Sequence, residues 1–266
     1  MKTKLLFLGL VATMNLGCFG SGDVVGYAMN RTVDSAADRV GERIGDAVAA
    51  NMLANNPQLF YAYSMSVFQM TFYQGGYYHY GSNDFEPGQW VRFAVTGYAE
   101  ANTTERALLK RNEDGSEWWR VETRSTNDNG AEDVVIMEAL FTAPDEAGTR
   151  RVVRMRSLIP GNTEPSEVPI TEEDRDRWVV QGGQRLTKES AEGMKVGTSE
   201  VTTPAGKFTC DQLQTQMGNV TANWYVNEDV PGQFVRYTQD EDGTVRYSNE
   251  LVAMGTDATT SKLGAF

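Results

Sequence analysis

The spacing of apolar residues changes near residue 85, and this change separates a helical part of the chain from a strand-rich part. Within 32–53, apolar residues recur at three- and four-residue steps with charged residues between them, which predicts an amphipathic helix. A second helix is predicted from Pro57, which follows an asparagine cap, to a pair of glycines that stops it. Together they make a helical segment at 32–74.

Beyond Phe85, apolar and polar residues alternate, which is the period of a strand with one buried face. Turn residues separate the runs, and consecutive strands joined by tight turns form an antiparallel sheet. Roughly ten such strands are expected to curl strongly. The predicted strands are 90–95, 108–111, 118–123, 134–142, 151–158, 178–181, 195–202, 207–217, 220–226, 233–239 and 244–253.

Two stretches depart from this alternation. The insertion at 160–178 begins as a proline-containing loop and continues as a short helix capped by Thr171. Residues 257–266 are polar and are predicted to form a loose tail. The sequence thus predicts an α+β, mainly β fold, in which a strongly curved antiparallel sheet, or half-barrel, at 75–256 carries the two N-terminal helices.

The first residues have the pattern of an export signal. Two lysines precede a short apolar run that ends in Leu16-Gly17-Cys18 and is too short to span a bilayer. Its end resembles a bacterial lipobox, although Asn15 and Leu16 depart from the common residues. The prediction is a signal peptide at 1–17, a diacylated Cys18 and a tether at 18–31. The alternatives are an ordinary secretory signal cut elsewhere and an uncleaved anchor.

The net charge of the chain limits the kinds of molecule that it is expected to bind. The formal net charge is −12, and loss of the two leader lysines with the signal makes it −14. Nucleic-acid binding is excluded, because it depends on Lys and Arg neutralising phosphates. Anionic headgroups would repel such a surface, so membrane attachment is expected through the lipid on Cys18. The predicted location is the bacterial cell envelope, facing the periplasm and anchored in the outer membrane.

Few residues offer catalytic chemistry. If Cys18 carries lipid, Cys210 is the remaining cysteine, and its alternating surroundings predict a buried, small apolar side chain. A cysteine nucleophile would need a base, and the single histidine, His79, lies among tyrosines. One histidine argues against a zinc site, and the acidic turns do not fit a calcium loop. The sequence therefore predicts no enzymatic activity, no metal and no cofactor.

A block near the end of the chain carries a resemblance. It runs through Pro204-Ala205-Gly206, Trp224, Val230-Pro231-Gly232 and Glu250-Leu251-Val252, ending at Gly255. This succession resembles uncharacterised bacterial envelope lipoproteins similar in fold to the LolA/LolB lipoprotein-carrier group. The resemblance implies a half-barrel with helices over its concave face, which in the carriers holds acyl chains. The acidic insertion at 160–178 and the chain's own anchor depart from the carriers.

Two functional hypotheses follow. In the first, the concave sheet of a non-enzymatic envelope protein binds a lipid or another hydrophobic group. In the second, the protein is a structural or assembly subunit with an envelope protein partner, and its own helix at 57–73 fills the sheet. The candidate ligand-lining or core residues are Phe60, Phe68, Phe72, Trp90 and Trp224.

Overall fold

The computed structural model covers the sheet and a few residues before it. It describes residues 64, 68, 78–79, 85–97, 102–126, 130–146, 148–177, 179–180, 184–185 and 188–266. Cys18, the tether, the helix predicted at 32–53, Phe60 and Phe72 lie outside these residues. In the second predicted helix, Ser64 and Phe68 are described, and both are helical. No helix in the described part of the chain has the length and apolar character needed to cross a bilayer.

Strands dominate the described residues. They are β1 Tyr78–His79, β2 Gly88–Thr96, β3 Asn102–Arg111, β4 Glu117–Thr126, β5 Glu132–Phe141, β6 Arg150–Leu158, β7 Ser166–Glu167, β8 Val179–Val180, β9 Gln184–Arg185, β10 Lys195–Thr203, β11 Gly206–Met217, β12 Val220–Val226, β13 Phe234–Glu241 and β14 Thr244–Ala258. Two short helices interrupt them, α1 at Glu172–Arg177 and α2 at Lys188–Met194.

The large sheet has the order β10-β11-β12-β13-β14-β2-β3-β4-β5-β6-β7, with β8 also paired to β6. All of its pairings are antiparallel, whereas β1 and β9 form a separate parallel pair. Within the described residues, β10 and β7 at the two ends do not pair with each other, so the sheet is open. The prediction of a mainly β, antiparallel fold is confirmed.

One side-chain contact shows how strongly the sheet curls at β10–β14. The guanidinium of Arg236 in β13 donates a hydrogen bond of 2.9 Å to the carbonyl oxygen of Thr202 in β10. Strands β11 and β12 lie between them, so a flat sheet would hold β10 and β13 about 14 Å apart. An arginine side chain does not reach across that distance. The sheet therefore bends back on itself here.

Local turn chemistry follows the sequence closely. At the predicted turn between β3 and β4, Gly115 has a positive φ of 79° and its N–H donates to the carbonyl of Asn112. Asp114 accepts hydrogen bonds from the backbone and hydroxyl of Ser116, which lower the pKa of Asp114. At the start of α1, Thr171 and Asp174 exchange side-chain-to-backbone hydrogen bonds, which confirms the predicted cap.

Apolar side chains form a main core on one side of β2–β6 that continues into the curled β10–β14 region. Aromatic pairs run through this main core, among them Phe85–Trp119 at 5.2 Å and Phe93–Phe234 at 5.6 Å between ring centroids. On the other side of the sheet lies a second, smaller cluster. Its buried members are Ala107, Leu109, Trp118 and Ala258.

The predicted loose tail takes a different form in the structure. Strand β14 extends to Ala258, and residues 259–266 then lie against the side of the sheet that carries the smaller cluster. Leu263 is buried there. Polarity suggested a solvated tail, but its polar groups bind polar groups of the sheet. We call residues 259–266 the covering segment.

Candidate functional site

Beneath the covering segment, β2–β6 present a set of ionised side chains. Strand register places Arg120 directly opposite Glu138, and Glu138 directly opposite Arg156. Residues two positions apart on a strand share a face, so Glu122 lies on the same side of the sheet as Arg120. Glu105 lies opposite Glu122, and Arg92 lies opposite Glu105, so both are on this side as well. We call this set the charged face. It consists of Arg92, Glu105, Arg120, Glu122, Glu138 and Arg156.

The charged face is held together by arginine–carboxylate pairs. Glu105 bridges two arginines, with Arg92 at 2.6 Å and Arg120 at 3.1 Å. Glu138 pairs with Arg156 at 3.1 Å. Apart from Arg92, these side chains are at most 6% exposed. Because charges are costly to remove from water, each of them needs such partners.

The covering segment supplies hydrogen-bond donors to the two most buried carboxylates. The hydroxyl of Ser261 donates to Glu138 Oε2 at 2.5 Å, and the backbone N–H of Lys262 donates to Glu138 Oε1 at 2.8 Å. The ammonium group of Lys262 donates to Glu122 Oε2 at 2.5 Å. These bonds are charge-assisted and therefore stronger than neutral ones. Both oxygens of Glu138 thus bind the covering segment.

Arginines of the charged face bind the segment's backbone in turn. Arg120 donates to the carbonyl of Thr260 at 3.2 Å, and Arg156 donates to the carbonyl of Ala265 at 2.6 Å. Arg156 also reaches the hydroxyl of Ser261 at 3.2 Å. Backbone carbonyls are present in any peptide, so these arginines fix the path of the chain and not its sequence.

Apolar contacts frame the covering segment. Leu263 is 4% exposed, and the ring of Phe266 packs on Trp118 with 5.6 Å between centroids. Just before the segment, the indole N–H of Trp90 donates to Asp257 at 2.7 Å. The segment thus joins one buried leucine and one aromatic contact to a larger number of polar bonds.

The contact with Lys262 of the covering segment affects the pKa of Glu122. Burial raises the pKa of Glu122, but hydrogen bonds and charge from Lys262 and Arg124 lower it by more, so the pKa lies below its ordinary value. Glu122 also bonds Arg124 directly. The ionised form of Glu122 is therefore the form that holds Lys262 in place.

The sequence-predicted site residues do not form one site. Phe68 and Trp224 lie in the main core, where Phe68 meets Phe141 edge-on at 5.2 Å and Trp224 packs on Tyr237 at 5.3 Å. Trp90 packs instead against the smaller cluster on the opposite side of the sheet. Phe60, Phe72 and Cys18 lie outside the described residues.

Cys210 is buried in the main core, as its alternating surroundings indicate. Burial raises the pKa of its thiol to about 11, with a further rise from Asp211 and an opposing effect of Arg236. At neutral pH the group is a thiol, which is a poor nucleophile. Among the residues that the structure describes, no group of three or more His, Cys, Asp or Glu side chains is placed to hold a metal ion.

Two glycines of the C-terminal block stand where close packing leaves no room for a larger residue. Gly232 has a φ of 74°, and a Cβ there would lie 2.7 Å from Arg106 and 2.9 Å from Phe85. Arg106 is itself buried over the Phe85 ring, and burial lowers its pKa to about 9. At Gly255 a Cβ would meet the Trp90 indole at 2.5 Å. These glycines let turns and strands approach large side chains closely.

Comparison with known proteins adds partial similarities of fold. No protein-family model matches the chain, and the comparison with curated proteins found no match. A crystal structure of MucB is 16% identical with a TM-score of 0.37, over 69% of this chain and 59% of that one. The Pseudomonas aeruginosa MucA/MucB complex is 15% identical with a TM-score of 0.38, over 67% of this chain and 55% of that one.

A further solved structure has a YmcC-like fold and comes from Bacteroides fragilis. It is 10% identical with a TM-score of 0.29, over 64% of this chain and 96% of that one. The chain spans 59% and 55% of the lengths of the two MucB chains. Similarities of this extent carry no function to this chain.

Proposed function

We propose that this chain is a non-enzymatic protein of the bacterial cell envelope, anchored through lipid on Cys18, facing the periplasm and serving as a structural or assembly subunit. The lysine-led apolar leader and Gly17-Cys18 support export and anchoring. The acidic composition supports attachment through lipid, because anionic headgroups repel it.

The burial of Phe68 carries the choice between assembly and lipid binding. A lipid carrier needs open apolar space along the sheet, and Phe68 was a candidate lining residue. Its side chain is 0% exposed and sits edge-on against Phe141 within the main core. Phe68, which is helical, thus occupies the apolar side of the sheet at this position, and this supports a packed subunit over a carrier.

Native mass spectrometry after gentle detergent extraction tests this function. The expected species is the acylated chain, either by itself or in complex with a protein partner. It carries no lipid beyond the covalent anchor. The Cys18→Ala chain is the control, because any lipid that remains bound to it is a non-covalent ligand. A stoichiometric lipid retained by that variant would contradict the assembly role and favour the lipid-binding alternative.

Metabolic labelling with radioactive palmitate tests the anchor separately. Label is expected in the unmodified chain and in Cys210→Ala, which removes the buried thiol, and is expected to be lost in Cys18→Ala. Label that persists in Cys18→Ala would show that the lipid is attached to a residue other than Cys18.

A further inference from the structure

The charged face has the composition of a surface that meets water at some stage. Glu138 and Glu122 side chains are 0% exposed, and Arg156 is 5% exposed. Replacing buried ion pairs of this kind with well-packed apolar residues is often neutral or stabilising. A permanently buried face therefore has little need of six ionised groups, whereas a face that is uncovered at intervals does.

The cover itself is slight. Residues 259–266 form no helix or strand. Only Leu263 is a buried hydrophobic side chain within the segment, and Phe266 remains 41% exposed. Departure of the segment would leave the arginine–carboxylate pairs of the sheet in place and return their charges to water. Opening here exposes much less apolar surface than opening of the main core would, so its cost is correspondingly smaller.

We propose that the charged face is a peptide-binding site, that the covering segment is its resident ligand, and that its exchangeable ligand is a segment of another protein with a hydroxyl residue, a lysine and an apolar residue in succession. This inference rests on the proposed assembly role and names the chemistry by which a protein partner is recognised.

Each element of that motif has a receptor on the sheet. A hydroxyl in the place of Ser261 donates to Glu138, and an ammonium in the place of Lys262 donates to Glu122. An apolar side chain takes the buried place of Leu263. Arg120 and Arg156 bind backbone carbonyls on either side, so these two contacts do not depend on the side chains of the ligand. Charge complementarity at Glu122 selects lysine at the central position.

A fluorescent peptide with the sequence of residues 259–266 tests the site on the full chain. We expect the peptide to bind the unmodified chain weakly, because the covering segment competes for the same face. Binding to the full-length Lys262→Ala chain is expected to be about tenfold tighter, because its own segment is released more often. Glu113→Ala alters an exposed side chain of the β3–β4 turn, away from the charged face, and is expected to bind like the unmodified chain.

A matched peptide with alanine at the Ser261 and Lys262 positions controls for nonspecific adhesion. It is expected to lose at least tenfold in affinity for every chain, which needs no variant protein to fold. A photoreactive leucine at the Leu263 position is expected to cross-link to β3–β6. Equal binding of the two peptides, no measurable binding of either, or cross-links confined to other strands would overturn the proposal.

The same titration shows whether the ligand is a second copy of this chain. It also separates failure of the peptide-site proposal from failure of the assembly role. If the unmodified chain is a dimer that the peptide dissociates, the exchangeable ligand is a second copy, and assignment to a separate partner is overturned. Failure of the peptide to bind leaves the lipid-free native mass expected above unchanged. Lipid retained by Cys18→Ala would instead remove the assembly role whatever the peptide does.

Discussion

The two sides of β2–β6 differ in what covers them. On one side, Phe68 and the aromatic pairs of the main core cover the sheet with tightly packed apolar side chains. On the other, eight residues of irregular chain cover ionised groups. The hydrophobic effect makes the first cover costly to lift, whereas the second exchanges charge-assisted hydrogen bonds for hydration. The contrast suggests that one side maintains the fold and the other can bind.

The largest effect is expected from truncating the main core. Phe68→Ala removes a fully buried ring from its contact with Phe141, and we expect a loss of about 4 kcal/mol in the free energy of unfolding. Phe266→Ala removes the same side chain from the half-exposed position on Trp118 and should cost under about 1 kcal/mol. Urea unfolding of both variants gives the comparison. Equal losses would mean that the two covers are equally essential.

Breaking a pair on the charged face should come next. Glu138→Ala leaves Arg156 without its carboxylate and removes the acceptor of Ser261 and Lys262, so we expect a loss of about 3 kcal/mol. Glu113→Ala, in the exposed β3–β4 turn, is the matched control and should have little effect. Thermal unfolding measures both. A loss at Glu138 as small as that at Glu113 would show that the covered charges are not coupled.

A smaller effect is expected where the turn before β13 meets the main core. Gly232→Ala places a Cβ at a positive φ and within 3 Å of Phe85 and Arg106, for which we expect a loss of about 2 kcal/mol. Gly243 has nearly the same φ, 77°, but open space around it. Gly243→Ala should therefore show the backbone strain alone. If the two variants unfold at the same urea concentration, the close packing at Gly232 contributes nothing.

The smallest effect concerns pH. Because the folded-state pKa of Glu122 lies below its ordinary value of 4.5, its ionised form stabilises the folded chain at higher pH. That contribution is lost as pH falls below about 4.5 and through the folded-state pKa. Glu122→Gln should therefore weaken the decrease in stability between pH 6 and pH 3, and Glu113→Gln should not. An unchanged decrease in Glu122→Gln would contradict the role of the Lys262 contact.

Alternation predicted the sheet well because burial of one face imposes a period of two. The strand predicted at 220–226 matches β12, and the turn at Asn112 and Gly115 gave the hairpin of β3 and β4. Helix α2 was not predicted, because seven mostly polar residues carry almost no periodic signal. Among the α2 residues whose burial the structure describes, Ala191 is the buried one, and it is too small to mark a face.

The charged face was missed for a different reason. Alternating Arg120 and Glu122 have the pattern of a solvated strand face, and the polar residues of 257–266 have the pattern of a free tail. Each pattern alone predicts exposure, and the contact between them is what buries the charged groups of the sheet. A signal was nevertheless present. Once the hairpin turns set the register, Arg120, Glu138 and Arg156 become directly opposed charges, which indicates a paired network.

Hydrogen exchange of the unmodified full chain tests the contrast between the two covers most directly. The backbone N–H groups of Lys262 and Leu263 bind Glu138 and Ser261, respectively, and lie in the covering segment. We expect these amides to exchange at least about 100-fold faster than those of Val121 and Met137 in β4 and β5, because the segment opens without unfolding of the sheet. Exchange of both sets at one common rate, that of global unfolding, would show that the charged face is permanently closed.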